Sequence, residues 1–401
     1  MARLRFYDFF AGAGMVELAL QTEWECAFAN DIDPRKAAVH RANLDHSMYL
    51  TADIATLAAA DLPSPVDLAW ASFPCQDLSL AGWRRGMSAG RSGAFWAFWT
   101  LMRDLDDRDR RPPMIVIENV AGLLYGEHFR GLCEALAALD LQFGALLIDA
   151  DRFLPQSRPR VFVVAVDRSL NVAPWTEAVP EVSPWFPQNV RRAFAALPPS
   201  LHDRWRWWRL PPPDGSRRAP IEHLIEDQPT GVAWHTEAET ARLLSLMSPL
   251  NRDKVEDRRG RGGRFVGFVY KRTRQDGQRA EIRFDGVAGC LRTPYGGSSR
   301  QTVLIVDDGR VRSRLLSPRE AARLMGIPDH FRLPDRYNDA YRAMGDGVAV
   351  PAVAWLGKHL LTPLARHARG AVRGRDEDNG NVIEFRRSAE EQASRWAAVK
   401  A

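Results

Sequence analysis

The sequence predicts an α/β protein in which a doubly wound, mainly parallel sheet is joined to a second, smaller domain. Three observations carry this. Over the first 166 residues short apolar runs alternate with amphipathic stretches, the pattern of strands and helices wound into a parallel sheet. The first apolar run opens directly into a glycine-rich turn, Ala11-Gly12-Ala13-Gly14, and from there into an apolar helix. Beyond Pro174 the texture changes, because Pro180, Pro184, Pro187, Pro198, Pro199 and Pro211 break every periodicity. With 401 residues and 45% hydrophobic content the chain can fill two cores, since domains run about 100 to 200 residues.

Taken in order, the apolar run over 4–10 is the first strand and 15–20 the first helix. Further strands fall at 27–30, 66–71, 114–118, 143–149 and 161–166. Between them Phe95, Phe98, Trp99, Met102 and Leu105 recur at helical spacing, as do Phe129, Leu132, Leu136 and Leu139, which makes both stretches core-facing helices. In the proline-rich region Trp205, Trp207 and Trp208 alternate with arginines. Helical signals return at 318–325 and 349–361, where Val350, Val353, Leu356 and Leu360 share a face. After Pro363 the chain turns charged and weakly apolar, the composition of a loosely attached extension. These shifts divide the chain into 1–185, 186–337, a return segment over 338–366, and a tail over 367–401.

Composition narrows the function classes. No window offers the roughly 18 uncharged apolar residues of a membrane span, and no signal-type stretch opens the chain, so no membrane association is expected. Cys26, Cys75, Cys133 and Cys290 lie far apart with no CxxC pair, which points to neither a disulfide framework nor a metal site and fits a reducing, cytoplasmic setting. A net charge of +5 and a pI near 9.2 say little by themselves. Distribution says more. Between 258 and 283 stand Arg258, Arg259, Arg261, Arg264, Lys271, Arg272, Arg274, Arg279 and Arg283 against only Asp276 and Glu281. This basic stripe is either a polyanion-binding surface or a solvated loop rich in Gly260, Gly262 and Gly263.

Three groups of residues carry chemistry. A glycine turn between a strand and a helix lets the backbone approach a ligand closely. About twenty residues on, Asn30-Asp31-Ile32-Asp33 follows the second strand, where an acid can accept two ribose hydroxyls while Ile32 covers an adenine face. Asp53-Ile54 adds an acceptor for an adenine amino group, and together these make an adenosine pocket. The GxxxxGK phosphate cradle is missing, which argues against a triphosphate. The second group is Phe73-Pro74-Cys75-Gln76-Asp77-Leu78-Ser79 at a strand end, where open parallel sheets keep their sites and a cysteine on a loop can act as a nucleophile. The third is Glu118, in Glu118-Asn119-Val120, with Gln156-Ser157-Arg158-Pro159-Arg160 before a later strand. A thiol, an acid and two guanidiniums at strand ends can attack a heterocycle, protonate it and hold an exocyclic oxygen.

In that order and at those separations, the sequence resembles the DNA cytosine-5 methyltransferase family over most of residues 3–365. The motifs are DFFAGAG at 8–14, NDID at 30–33, FPCQ at 73–76, ENV at 118–120, QSRPR at 156–160 and, close to the family form, GDGV at 345–348. The resemblance also places GGSSRQ at 296–301 at the end of a target-recognition region spanning 186–337. It implies the S-adenosylmethionine-dependent methyltransferase fold, S-adenosyl-L-methionine as cofactor, and methylation of C5 of a cytosine rotated out of double-stranded DNA. Cys75 would attack C6, Glu118 would act at N3 and the exocyclic amine, and Arg160 would hold O2 with Arg158 supporting the loop and the charge. For the cofactor it implies Phe10, Ala11, Gly12, Gly14, Asp31, Ile32, Asp53, Ile54, Pro74, Asp346 and Val348. For DNA it implies Gln76 and Ser79, with Arg264, Lys271, Arg272, Arg274 and Arg283 from the stripe. A monomer is expected, with a companion restriction endonuclease that would act separately.

Two positions depart from the family pattern. Met15 stands where a further glycine is usual, and Asp346 stands where the last motif usually has asparagine. Three rivals compete with this reading. A same-fold enzyme acting on tRNA carries a Cys-Phe-Thr tripeptide, where this chain has Cys290-Leu291-Arg292. A catalytically silent DNA-binding homologue would have no need of Cys75, Glu118 and Arg160. A dinucleotide-dependent dehydrogenase would complete GxGxxG, which this chain does not.

Overall fold

The computed structural model describes residues 2–44, 48–74, 93–178, 183–213, 219–274, 277–292 and 300–379. Its centre is a seven-stranded sheet of β1 (Leu4–Phe9), β2 (Trp24–Asp31), β3 (Tyr49–Thr51), β4 (Leu68–Ala71), β5 (Met114–Val120), β6 (Leu141–Asp149) and β7 (Pro159–Asp167), ordered β3-β2-β1-β4-β5-β7-β6. The pairs from β3 to β5 are parallel, and β7 runs antiparallel to both β5 and β6. Such a sheet is buried on both faces, which is why β5 and β7 read as continuous runs of Ile, Val and Phe rather than as alternating patterns.

Helices α1 (Met15–Leu20), α2 (Pro34–Asn43), α3 (Ala94–Asp106) and α4 (Glu127–Ala138) belong to the same layered unit. α3 buries Phe95, Phe98, Leu101, Met102 and Leu105, and α4 buries Phe129, Leu132 and Leu136, as their spacing requires. Two elements have no counterpart in the sequence reading. β3 is a three-residue edge strand, and α2 buries only Ala37, Val39 and His40, so neither leaves a periodic trace. α2 starts instead from a cap: Asp33 accepts from the Arg35 N–H and Pro34 occupies the first turn.

The tryptophan-rich region, which the sequence reading places in a second domain from 186 onward, packs on this first sheet. β8 (Thr176–Glu177), α5 (Gln188–Ala195), α6 (Pro199–His202) and β9 (Trp207–Trp208) carry it. The Trp208 indole donates to Val164 O on β7 at 3.1 Å, and Phe143 on β6 exchanges bonds with Arg204 O and the Arg206 N–H at 2.9 and 2.7 Å. Next come α7 (Glu237–Ser245) and α8 (Pro249–Arg261), then an antiparallel sheet of β10 (Arg264–Arg274), β11 (Gly277–Arg283), β12 (Thr302–Asp307) and β13 (Arg310–Leu315), ordered β11-β10-β12-β13. Leu243, Met247, Val255, Val269, Ala280, Ile282, Leu304 and Val306 give this unit its own core. α9 (Pro318–Leu324) is joined to β13 by the fully buried pair Arg314–Glu320, 2.6 Å apart, whose carboxylate also completes a capping box with Ser317.

The chain returns through α10 (Tyr337–Asp346), α11 (Val350–Leu356), a π-helical turn, and α12 (Thr362–Asn379). The stretch Tyr337–Gly370 is long and apolar enough to cross a bilayer by length and composition, but 61% of the 18-residue apolar window within it is buried inside the fold. The loosely attached extension expected after Pro363 needs correction for its first part. Leu364, Ala365 and Ala368 continue the buried stripe, and Arg369 pairs with the Asp67 carboxylate at 2.5 Å. The helix therefore docks well beyond the expected break before its composition turns charged.

Candidate active site

Parallel strands end at one edge, and the register shows which residues meet there. Phe9 lies level with Asn30 on one side and Ala71 on the other, and Ala71 is level with Ile117. The turn after β1, the acid after β2, the loop after β4 and Glu118 on β5 therefore share one edge of the sheet.

At the turn, Phe10 sits at φ 60°, a conformation rarely adopted by a residue with a side chain. Bonds from Ala11 N–H to Asn30 O (2.9 Å) and from Gly14 N–H to Ala11 O (3.0 Å) fix the turn. Its glycines serve different ends. A Cβ on Gly14 would strike Leu44 at 2.2 Å and His40 at 2.7 Å, so that glycine admits α2. A Cβ on Gly12 would meet nothing closer than 3.9 Å, so that glycine leaves open space over the loop.

Asp31 is buried and accepts from the Gly12 N–H at 3.0 Å and the Asp33 N–H at 2.8 Å. Each carboxylate oxygen keeps a further lone pair for a ligand hydroxyl. Beside it Ile32 is 67% exposed, an apolar side chain standing in solvent where a flat ring would cover it. Asp53 is exposed and accepts from the Ala55 N–H at 2.9 Å, and Ile54 behind it is buried. The Tyr49 hydroxyl donates to Gly12 O at 3.0 Å. An acceptor pair, an apolar cover, a second acid and an open glycine backbone fit an adenosine-bearing cofactor. Val348 is buried and Asp346 exposed at the end of α10.

The other groups lie on β5 and β7. Val120 is opposite Arg160, and the Arg160 Nε stands 3.1 Å from Glu118 Oε1, both side chains nearly buried. Asn119, to which the sequence reading gives no role, donates to Phe73 O at 3.0 Å and so fixes the start of the loop leading to exposed Pro74. Cys75, Gln76 and Ser79 lie outside the described residues, as do 296–299 of the glycine-serine stretch. Arg158 is buried, and its guanidinium donates to backbone: Leu291 O at 2.9 Å, Gly345 O at 2.8 Å and Gly347 O, with Cys290 Sγ at 3.3 Å. Burial, and then the neighbouring Arg160, push that guanidinium down to about 10. Its contacts make Arg158 a brace between the strand end, the end of the second sheet and the return segment.

The basic stripe is ordered and largely paired. Arg258, Arg259 and Arg261 close α8 and pair with Asp257 and Glu256 of the same helix. On β10 and β11, Arg264 pairs with Asp227 at 2.6 Å and Arg283 with Asp285, while Arg272 lies 3.7 Å from Glu281 and over the Tyr270 ring. Lys271 is half-buried, and Arg274 lies at the end of β10. The segment after β11 runs beside the strand end: Ala288 N–H donates to Pro155 O at 2.8 Å and Ser157 N–H to Ala288 O at 2.9 Å.

The chain is 25% identical over 368 residues to the type II methyltransferase M.HhaI of Haemophilus parahaemolyticus, covering 90% of this chain and 95% of that one. It is 26% identical to M.HpaII of Haemophilus parainfluenzae, with 90% of each covered, and 25% identical to M.BsuFI of Bacillus subtilis, with 88% and 71% covered. Among solved structures, the Entamoeba histolytica methyltransferase EhMeth superposes with a TM-score of 0.59 at 13% identity, over 91% of this chain and 99% of that one. The S. pombe Dnmt2 methyltransferase superposes at 0.54 and 18%, over 90% and 99%. These confirm the methyltransferase fold. The family profile of the C-5 cytosine-specific DNA methylases matches residues 4–362, and with that match over nearly its whole length the chain belongs to this family.

Proposed function

We propose that this enzyme transfers a methyl group from S-adenosyl-L-methionine to C5 of a cytosine flipped out of a specific sequence in double-stranded DNA, through a covalent bond between Cys75 and C6. The observation that carries this is the Glu118–Arg160 pair, nearly buried at the sheet edge next to the loop that Asn119 anchors ahead of Cys75. The domain division follows the same reading, with the first sheet and the return helices binding cofactor and base and the antiparallel sheet reading DNA.

A stacked base hides C6, so a base must leave the duplex before a side chain reaches it. Cys75 as thiolate adds to C6, forming a C–S bond and moving the electron pair of the C5–C6 double bond toward C5. Arg160 holds O2 where negative charge grows, and Glu118 bridges N3 and the exocyclic amine, so both act where the ring gains charge. The bound cofactor would supply an electrophilic methyl group on its sulfonium, which the C5 electron pair would take as the methyl–sulfur bond breaks and a neutral thioether is left. A base then removes the C5 proton, the C5–C6 double bond re-forms and Cys75 leaves. Phe10, Asp31, Ile32 and Asp53 hold the adenosine portion, with Pro74 and Val348 at the same pocket. M.HhaI, M.HpaII and M.BsuFI are named as type II methyltransferases, which supports the same class of activity here.

The test is the Cys75→Ser variant, which should lose turnover by several orders of magnitude while still binding cofactor and duplex. A duplex with 5-fluorocytosine at the target should trap the wild-type chain covalently and leave the variant free, read by denaturing gel electrophoresis. Sustained methylation by the serine variant, scored by bisulfite sequencing, would remove Cys75 from the mechanism.

A further inference from the structure

The two departures from the family motifs, Met15 and Asp346, meet at one junction. α10 ends on Asp346, and Gly347 lies so close to Met15 that a Cβ there would sit 2.1 Å from the Met15 sulfur. Asp346 Oδ2 stands 2.9 Å from Lys36 Nζ on α2 and 3.6 Å from Arg342 Nε one turn back on α10. Arg342 also reaches Asp33, the cap of α2, at 3.4 Å, and Arg35 reaches Asp339 of α10 at 3.5 Å. Alternating charges therefore lace α10 to the helix that begins just behind Asp31. The stem of Lys36 passes the glycine loop, its Cδ 3.9 Å from where a Gly12 Cβ would stand. The Lys36 and Asp346 side chains are only 17% and 31% exposed, which weakens screening by solvent and salt. An asparagine here could donate as well as accept, but ionised Asp346 only accepts, so it needs a cationic donor, and Lys36 is one.

We propose that Lys36 and Asp346 form a positioning pair that clamps the return segment against the glycine loop and holds the cofactor pocket in its binding shape. The inference rests on the reading of that loop as the S-adenosylmethionine site. From the opposite side Arg158 holds Gly345 O and Gly347 O, so the clamp acts on a segment already braced once.

The full chain is titrated with S-adenosylmethionine in a calorimeter as wild type, Lys36→Met, Asp346→Ala, the double variant, and the charge-conserving variant Lys36→Arg. Each single change should weaken binding about three- to fivefold, and the double change should be no weaker than the worse single. Lys36→Arg, which keeps the cation opposite Asp346, should bind close to wild type, and added salt should weaken wild type more than the double variant. Singles that bind like wild type, or losses that multiply in the double variant, would overturn the clamp. Melting curves accompany every titration. If a single variant unfolds, Lys36→Arg decides, since a folded Lys36→Arg chain that binds poorly overturns the pair and one that binds well and keeps the salt sensitivity of wild type supports it. A wild-type chain that binds no S-adenosylmethionine would instead overturn the cofactor assignment.

Discussion

Asp8 has no exposed surface, and neither of its oxygens has a hydrogen-bond partner among the described residues. Burial first, then the nearby Glu17 and Asp31, push its pKa well above the ordinary carboxylate value. An isolated buried carboxylate is far costlier than a buried carboxylic acid, so the folded chain keeps this proton where the unfolded chain has released it. The sign follows: with the folded pKa raised, the native state binds more protons above about pH 3.9, and stability falls as pH rises from there toward the folded pKa. Asp8→Asn, which imitates the protonated form, should flatten this slope. Urea denaturation at several values between about pH 5 and 8 should show wild type losing stability relative to the variant as pH rises, whereas parallel curves would mean an ionised, solvated Asp8. At this scale the sequence is informative about residue types and silent about partners. A buried acid beside an exposed apolar side chain, Asp31 and Ile32, is easily noticed because the two are neighbours in the chain. The Glu118–Arg160 pair depends on β5 lying beside β7, and Lys36–Asp346 joins opposite ends of the chain, so neither pairing leaves a local trace.

Among elements, those buried on both faces or along a clear stripe were legible, and those held by caps and contacts were not. α8 shows the second case, since only Val255 is buried in its thirteen residues and no apolar periodicity marks it. Its arginines therefore read as the start of a loop. The tryptophan strap shows how a change in texture can be taken for a change of domain. Prolines break its periodicity, yet Trp205, Trp207 and Trp208 are buried on β6 and β7, and the closest approach is marked by a glycine. A Cβ on Gly144 would lie 1.8 Å from Arg206 O, a backbone atom that cannot turn aside. Gly144→Ala should therefore lift the strap and destabilise the chain by about 3 kcal/mol or more. A lowered urea midpoint with altered tryptophan fluorescence before global unfolding would show this, and an unchanged midpoint would mean that the strap can shift without cost.

For the whole molecule, the question is how a chain with little surplus charge holds a polyanion. The sequence shows nine basic residues over 258–283, but the fold neutralises several of them: Arg258, Arg259 and Arg261 on their own helix, Arg264 against Asp227, and Arg283 against Asp285. Nearer the turn of the β10–β11 hairpin the charges crowd. Arg272, 3.7 Å from Glu281, is directly opposite Arg279 and both are exposed, an arrangement of like charges that a bridging anion would favour. Lys271 precedes Arg272 on the same strand, and the segment after β11 leads back to the strand end that carries Arg158 and Arg160. DNA phosphates would relieve the repulsion and place this hairpin beside the active edge. Arg272→Ala and Arg279→Ala should each weaken binding to target and non-target duplexes alike and lower the slope of log affinity against log salt by about one. Arg264→Ala and Arg283→Ala, whose guanidiniums lie closer to a carboxylate (2.6 and 2.5 Å) than that of Arg272 does (3.7 Å), should change that slope less. Binding measured by fluorescence anisotropy at several salt concentrations separates these outcomes. Slopes unchanged by Arg272→Ala and Arg279→Ala would rule out the hairpin as the phosphate-contacting face, because counterion release cannot occur at a surface the DNA does not touch.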